Sequence, residues 1–131
     1  MTSCGKLSLE RYIKAITGKK VANVVALDVR EMSSVADAFI LCSGGSNRQV
    51  SAIAEHVKKT LKREGTRPLH VEGMKEGQWV LMDYGDVIIH IFYEPVRTFY
   101  DLEGLWADAP RLALTESQHP GPTAREDDTG D

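Results

Sequence analysis

Residues 78–92, QWVLMDYGDVIIHIF, contain two strand-like runs separated by a dipeptide that a tight turn accepts. The pattern predicts a β-hairpin turning at Tyr84-Gly85. With that turn, Asp83 pairs with Asp86, Leu81 with Ile88 and Trp79 with His90. Side chains alternate across a strand, so Val80, Met82, Val87, Ile89 and Ile91 share one face. That set is purely aliphatic, as a sheet face covered by helices should be. Trp79, Leu81, Asp83, Asp86, Ile88, His90 and Phe92 share the other face. Its mixture of aromatic, acidic and imidazole groups suggests a surface that meets something.

The remaining periodicities place elements around this hairpin. Leu9, Tyr12, Ile13 and Ile16 follow helical spacing, with Ser8 available as cap and Gly18 placed to end the helix. NVVALDV at 23–29 and AFILC at 38–42 read as strands with a turn around Glu31–Ser34 between them. After Gly44-Gly45, Ser46 and Gln49 match a capping box. The helix behind it carries Val50, Ile53, Ala54, Val57 and Leu61 on one stripe, ends in Lys58, Lys59, Lys62 and Arg63, and is closed by Gly65. A short strand is expected near Pro68–Val71. Pro95 stops the last strand, and Thr98 with Asp101 signals a final helix bearing Phe99, Leu102, Leu105 and Trp106, ended by Pro110. The order α-β-β-α-β-β-β-α predicts an α/β fold: a single domain with a mixed, about five-stranded sheet and helices mainly on one face.

Charge bears on partners. Residues 116–131 carry a net −4 and the whole chain −3, which leaves about +1 on residues 1–115. A near-neutral body argues against strong direct nucleic-acid binding and favours protein contacts. The tail QHPGPTAREDDTGD is too polar to offset its ordering entropy. The expected organisation is a flexible N-terminus over 1–6, a domain over 7–110 and a disordered acidic tail over 111–131. Cys4 and Cys42 form no zinc spacing or disulfide framework, and Cys42, within FILC, reads as a buried free thiol. A reducing compartment follows. The N-terminus lacks the apolar stretch of a signal peptide and no run approaches a membrane span, so a cytoplasmic location is expected.

Four acids, Asp28, Asp37, Asp83 and Asp86, invite a metal-site reading, and Gly44-Gly45-Ser46 before a helix superficially fits a phosphate loop. Nucleotidyl transfer, however, uses two acids one residue apart on the next strand, and no such pair follows. Asp83 and Asp86 flank a turn, where Asp is favoured for local hydrogen bonds. His90 has no Cys or Ser nucleophile in an activating motif, so a structural or interface role is expected. Trp79 serves either the core or an interface, and the polar company on its face favours an interface anchor.

LDVREMSSVADAFILCSGGSNRQV and EGMKEGQWVLMDYGDVIIHIFYEPVRTFYDLEGLW are similar to the Iojap-like ribosomal silencing factors. The resemblance runs from about Leu7 to Trp106. It rests on Asp28, Asp37-x-Phe39, Ser43-Gly44, Ser46, Glu72-Gly73, Trp79, Asp83-Tyr84-Gly85-Asp86, His90, Arg97-x-x-Tyr100 and Leu102-Glu103-x-x-Trp106. Gly45 departs from the family, which often has Thr or Ser there. The resemblance implies a nucleotidyltransferase-like fold without transferase activity, and a homodimer. It also implies binding to a large-subunit ribosomal protein at the intersubunit face, which blocks joining of the small subunit and lowers translation when nutrients are scarce. Organellar relatives act in large-subunit assembly. The expected partner-binding residues are Glu72, Trp79, Asp83, Tyr84, His90 and Tyr100, with Leu102, Leu105 and Trp106 in packing or dimer burial. No cofactor, metal or catalytic residue is expected; a metal-dependent transferase is the alternative reading.

Overall fold

The structure, a computed structural model, describes residues 9–34 and 36–112. Two long apolar runs, β2 (Ala38–Gly44) and β5 (Val87–Tyr93), lie side by side in parallel at the middle of the sheet. β2 is buried along its whole length, which is why it reads as a continuous hydrophobic run rather than an alternating one. The antiparallel strands β1 (Ala22–Asp28) and β4 (Trp79–Asp83) flank this pair, and β3 (His70–Glu72) follows β4, giving the order β1-β2-β5-β4-β3. The expected mixed five-stranded sheet is therefore present. Two helices, α1 (Glu10–Thr17) and α2 (Asn47–Arg63), pack on each other and cover one face. The short α3 (Glu94–Tyr100) and α4 (Leu102–Leu105) lie against the opposite side.

Under α1 and α2 the core is aliphatic: Ile13 and Ile16 of α1 and Val50, Ile53, Val57 and Leu61 of α2 meet Ile40, Val80, Met82, Ile89 and Ile91. Each fully buried aliphatic side chain of this kind contributes roughly 1.5–3 kcal/mol of transfer free energy. Ser46 caps α2 by accepting from the Gln49 N–H at 3.1 Å, while the Gln49 side chain returns to the Gly45 N–H rather than to Ser46 itself. Gly65, at φ +85°, closes the helix by donating to the Lys62 carbonyl. The Ser8 cap expected for α1 lies outside the described residues, and Gly18 ends that helix in a right-handed conformation.

Three expectations are corrected. The hairpin pairs Trp79 with Phe92, Leu81 with His90 and Asp83 with Ile88, two residues away from the expected register. Its turn is Gly85-Asp86, because Tyr84 donates to the Val87 carbonyl and Gly85, at φ +92°, occupies a position costly for any other residue. A slip of two preserves side-chain alternation, so the assignment of residues to faces stands. The last helix begins at Glu94, with Pro95 in its first turn, and ends at Tyr100. Asp101 then takes φ +47° and caps a separate short helix, so the residue expected inside one helix divides two. Hydrogen-bonded backbone also continues past the expected boundary at residue 110: Arg111 bridges Leu27, and the Leu112 N–H donates to Ala26 at 2.8 Å. Residues 1–6 and 113–131 lie outside the described residues.

Charge is segregated by layer. Residues 10–20 and 47–64, which carry α1 and α2, hold nine Lys and Arg against three Glu, a net +6. All nine cations are exposed. The rest of residues 1–115 therefore carries −5. The near-neutral total is the sum of a cationic helical layer and an acidic remainder.

Candidate docking surface

The second face of the sheet is built on rings. Trp79 on β4 lies beside Phe92 on β5, with centroids 5.0 Å apart, and reaches Tyr100 at the end of α3 at 5.1 Å. Phe99 stands edge-on to Tyr100. Farther along the sheet, Phe39 of β2 contacts both His90 and Trp106 in edge-to-face geometry, at 5.1 and 5.0 Å. A continuous chain of aromatic contacts thus runs from Phe99 through Trp79 and His90 to Trp106. Phe39, His90 and Phe92 within it are buried, Trp79 is half-buried, and its members on α3 are exposed. Phe92 is fully covered, whereas Tyr100 is 52% exposed, Phe99 80% and Leu105 74%. Large apolar groups left in water on α3 and α4, backed by a rigid sheet, have the make-up of an interface anchor.

His90 is the polar centre of this face. It is 4% exposed, and burial pushes its imidazole down to about 4. The Trp79 Nε1–H donates to His90 Nδ1 at 3.1 Å. An indole can only donate, so Nδ1 must be the acceptor and the ring proton sits on Nε2. Nε2 is itself buried without a partner among the described residues. A neutral, tautomerically fixed imidazole of this kind orients the indole and is poorly suited to shuttling protons near neutral pH.

A second device sets the position of α3 and α4. Arg97, buried on α3, donates from Nη1 to the Ser43 hydroxyl at 2.8 Å and to the Asn23 carbonyl at 2.7 Å, and from Nε to Glu103 of α4 at 3.0 Å. Asn23 lies at an irregularity in β1 and takes φ +51°, which turns its carbonyl out of the ladder. Glu103 also meets Arg111 at 3.5 Å. One guanidinium therefore ties β1, β2, α3 and α4 together and fixes where Tyr100 and Phe99 stand. No local pattern in the sequence announces this, since the bonded residues are separated by up to 74 positions.

Of the expected site residues, Trp79, His90 and Tyr100 come together. Glu72 and Asp83 share their face: Glu72 pairs with Leu81 and Asp83 with Ile88, and opposite residues project to the same side. Glu72 is exposed and paired with His70, and Asp83 accepts from the Gly85 N–H at 2.8 Å. Tyr84 is a correction. It lies on the other face, its ring 5.6 Å from Tyr12 of α1, and burial raises its phenol to about 12. With the turn at Gly85-Asp86, Tyr84 continues the parity of Val80 and Met82, which takes it away from the ring chain. Leu102 and Trp106 are half-buried against the second cluster, in keeping with packing. Of the acids raised as metal ligands, Asp28, Asp37 and Asp86 lie at one end of the sheet, the Asp37 N–H donating to the Asp86 carbonyl at 2.7 Å, and Asp28 is bonded to Arg30 at 2.6 Å, which holds its carboxyl below the usual carboxylate value. Among the described residues, no group of three or more His, Cys, Asp or Glu could hold a metal ion. Also among them, no helix is long and apolar enough to cross a membrane.

Comparison with known proteins identifies relatives of the whole domain. A family model described as "Ribosomal silencing factor during starvation" matches residues 5–131. A protein of Halalkalibacterium halodurans named ribosomal silencing factor RsfS is 42% identical over 106 residues, covering 81% of this chain and 91% of its own length. A protein of the same name from Bacillus subtilis is 43% identical over 100 residues, covering 76% of this chain and 85% of its own length. A crystal structure from Bacillus halodurans superposes with a TM-score of 0.73 at 39% identity, covering 81% of this chain and 96% of its own.

Proposed function

The chain belongs to the ribosomal silencing factor family, and from that membership we propose that its ring-lined sheet face docks on a protein of the large ribosomal subunit. Seated at the intersubunit face, the domain excludes the small subunit by volume alone and represses translation when nutrients are scarce. The reaction class is binding, and no catalytic residue is required. The observation that carries this reading is the projection of Phe99 and Tyr100 from a buried ring stack into solvent. A partner protein embedded in rRNA presents Lys and Arg, and Glu72 and Asp83 beside the rings complement such a surface and would speed correct encounter. Trp79, His90 and Arg97 position the exposed rings. Tyr84 has no part in the contact.

The protein acts as a homodimer in the cytoplasm in this reading, with Leu105 and the neighbouring part of α4 the first place to look for the second copy. The test is co-sedimentation with purified large subunits. Tyr100→Ala should weaken binding by roughly tenfold or more, since a truncated interface anchor typically loses about 2 kcal/mol. A Tyr100→Ala protein that pellets as wild type would sink the site, and wild-type protein that leaves subunit association unchanged in a sucrose gradient would sink the mechanism.

A further inference from the structure

The outer surface of the helical layer has a character unlike the rest of the molecule. On α2, Arg48, Lys59 and Lys62 share the side opposite the buried stripe of Val50, Ile53, Val57 and Leu61, with Glu55 the one acid among them, and Lys58 and Arg63 flank them, five cations against one acid. From Arg48 to Lys62 this side extends about 21 Å at the helical rise. Lys58 and Lys62, and likewise Lys59 and Arg63, stand at i,i+4, the spacing at which like charges oppose helix formation. None of these five cations forms an ion pair among the described residues. Lys19, at the end of α1, and Arg63 both act on His56 of α2 and lower its proton affinity, although burial is the larger cause. The positive field therefore extends across the junction of the two helices. A helix that merely needs a wet face is better served by mixed charges.

We propose that the outer face of α1 and α2 is a second interaction surface, which binds the phosphate backbone of double-stranded RNA. Three observations select this partner. The face is cationic over a length that spans several phosphates, and lysines act on them as point charges without reading bases. It carries no exposed aromatic ring, since the ring of Tyr12 is buried, so single strands find no stacking platform and a duplex read through its backbone fits better. It also carries none of the exposed large hydrophobic residues, which lie at Met32, Leu69, Phe99, Tyr100 and Leu105, so the helices offer nothing to insert into a lipid surface. The choice of RNA over other polyanions rests on reading the opposite face as a ribosome-docking surface. With both in place, one face of the sheet engages protein while the helices behind the other engage rRNA.

The test uses the full chain and a fluorescently labelled RNA hairpin with a duplex stem, read by anisotropy, with no ribosomal protein present. Binding should weaken with salt. If about four phosphates are contacted, a threefold rise in salt costs roughly 50-fold in affinity. The triple substitution Lys58→Glu, Lys59→Glu, Lys62→Glu should lower affinity at least roughly tenfold, and the Gln versions should do so less. All three sites are exposed, so thermal melting should stay near wild type and separate loss of binding from loss of fold. Tyr100→Ala should bind the hairpin as wild type does. Failure of the docking reading would appear instead as unchanged pelleting of Tyr100→Ala with large subunits. No hairpin binding at low salt, binding equal in wild type and the triple variant, or capture by anionic vesicles but not by RNA would each overturn the proposal.

Discussion

The two faces of the sheet solve different problems with different side chains. Beneath α1 and α2, branched aliphatic residues interlock, and among the described residues there only the Tyr84 hydroxyl is buried without a partner. Burial is complete there, so the outside of the layer can vary in charge without touching the core. On the opposite face, rings do the packing, and the same rings reach the surface. Trp79 is at once half-buried filler over Phe92, donor to His90 and neighbour of the exposed Tyr100. Aliphatic packing separates stability from recognition, whereas aromatic packing joins them. Substitutions should reveal this as loss of stability alone in the aliphatic core and as loss of stability and contact together at the half-buried rings.

The largest effect should come from Arg97→Ala. It strips Glu103, Ser43 and the Asn23 carbonyl of a shared donor, and the comparison predicts about 3–4 kcal/mol of destabilisation by chemical denaturation. An unchanged midpoint would show that α3 and α4 stand without the clamp. Trp79→Ala should cost about 2–3 kcal/mol, below the value for a fully buried ring because Trp79 is only half-buried, and should also weaken partner binding. Loss of either property without the other would separate the two roles that the ring face joins.

Acid should act mainly through the ring face as well. His90 stays neutral in the folded protein down to about pH 4, whereas an unfolded histidine takes up its proton near 6.5. Between those values the unfolded chain binds more protons, so the contribution of neutral His90 is whole above about pH 6.5 and is lost as the pH falls toward 4. The loss should be on the order of 3 kcal/mol, and His90→Gln should flatten that part of the stability profile. The same slope in the variant would move the effect to other groups. The smallest effects on stability belong to the exposed positions. Tyr100→Ala and the Lys58, Lys59 and Lys62 substitutions to Gln should each change stability by no more than about 0.5 kcal/mol, measured by thermal melting. A large change in the lysine variant would break the separation claimed for the helical layer.

What could be read from sequence follows the same division. The aliphatic face was legible to the residue, because Val80, Met82, Val87, Ile89 and Ile91 carry their direction in their alternation. The exact pairing was not, since alternation is blind to a slip of two and the turn position depends on which residue takes a positive φ. Tyr84 was misplaced for that reason. His90, Trp79 and Tyr100 were singled out for their chemistry, but the bond that fixes the His90 tautomer arises from a diagonal between β4 and β5. Arg97 was visible only as part of a resemblance. Its burial depends on β1, β2 and α4 meeting around it, which is information held in the tertiary arrangement.

The short pairing beyond Pro110 has a further consequence. Any open sheet has two rims whose unpaired amides can recruit a strand from another molecule. At one rim the Pro110 carbonyl takes the Asp28 N–H at 2.8 Å and Leu112 bonds Ala26, so the outer side of β1 is partly occupied by the chain's own return. At the other, β3 is three residues long and carries the exposed, hydrogen-bonded pair of His70 and Glu72. Both rims are thereby made poor templates for strand addition. Self-association, where it occurs, is steered to side chains on the broad surfaces and away from the open-ended stacking that leads to fibres.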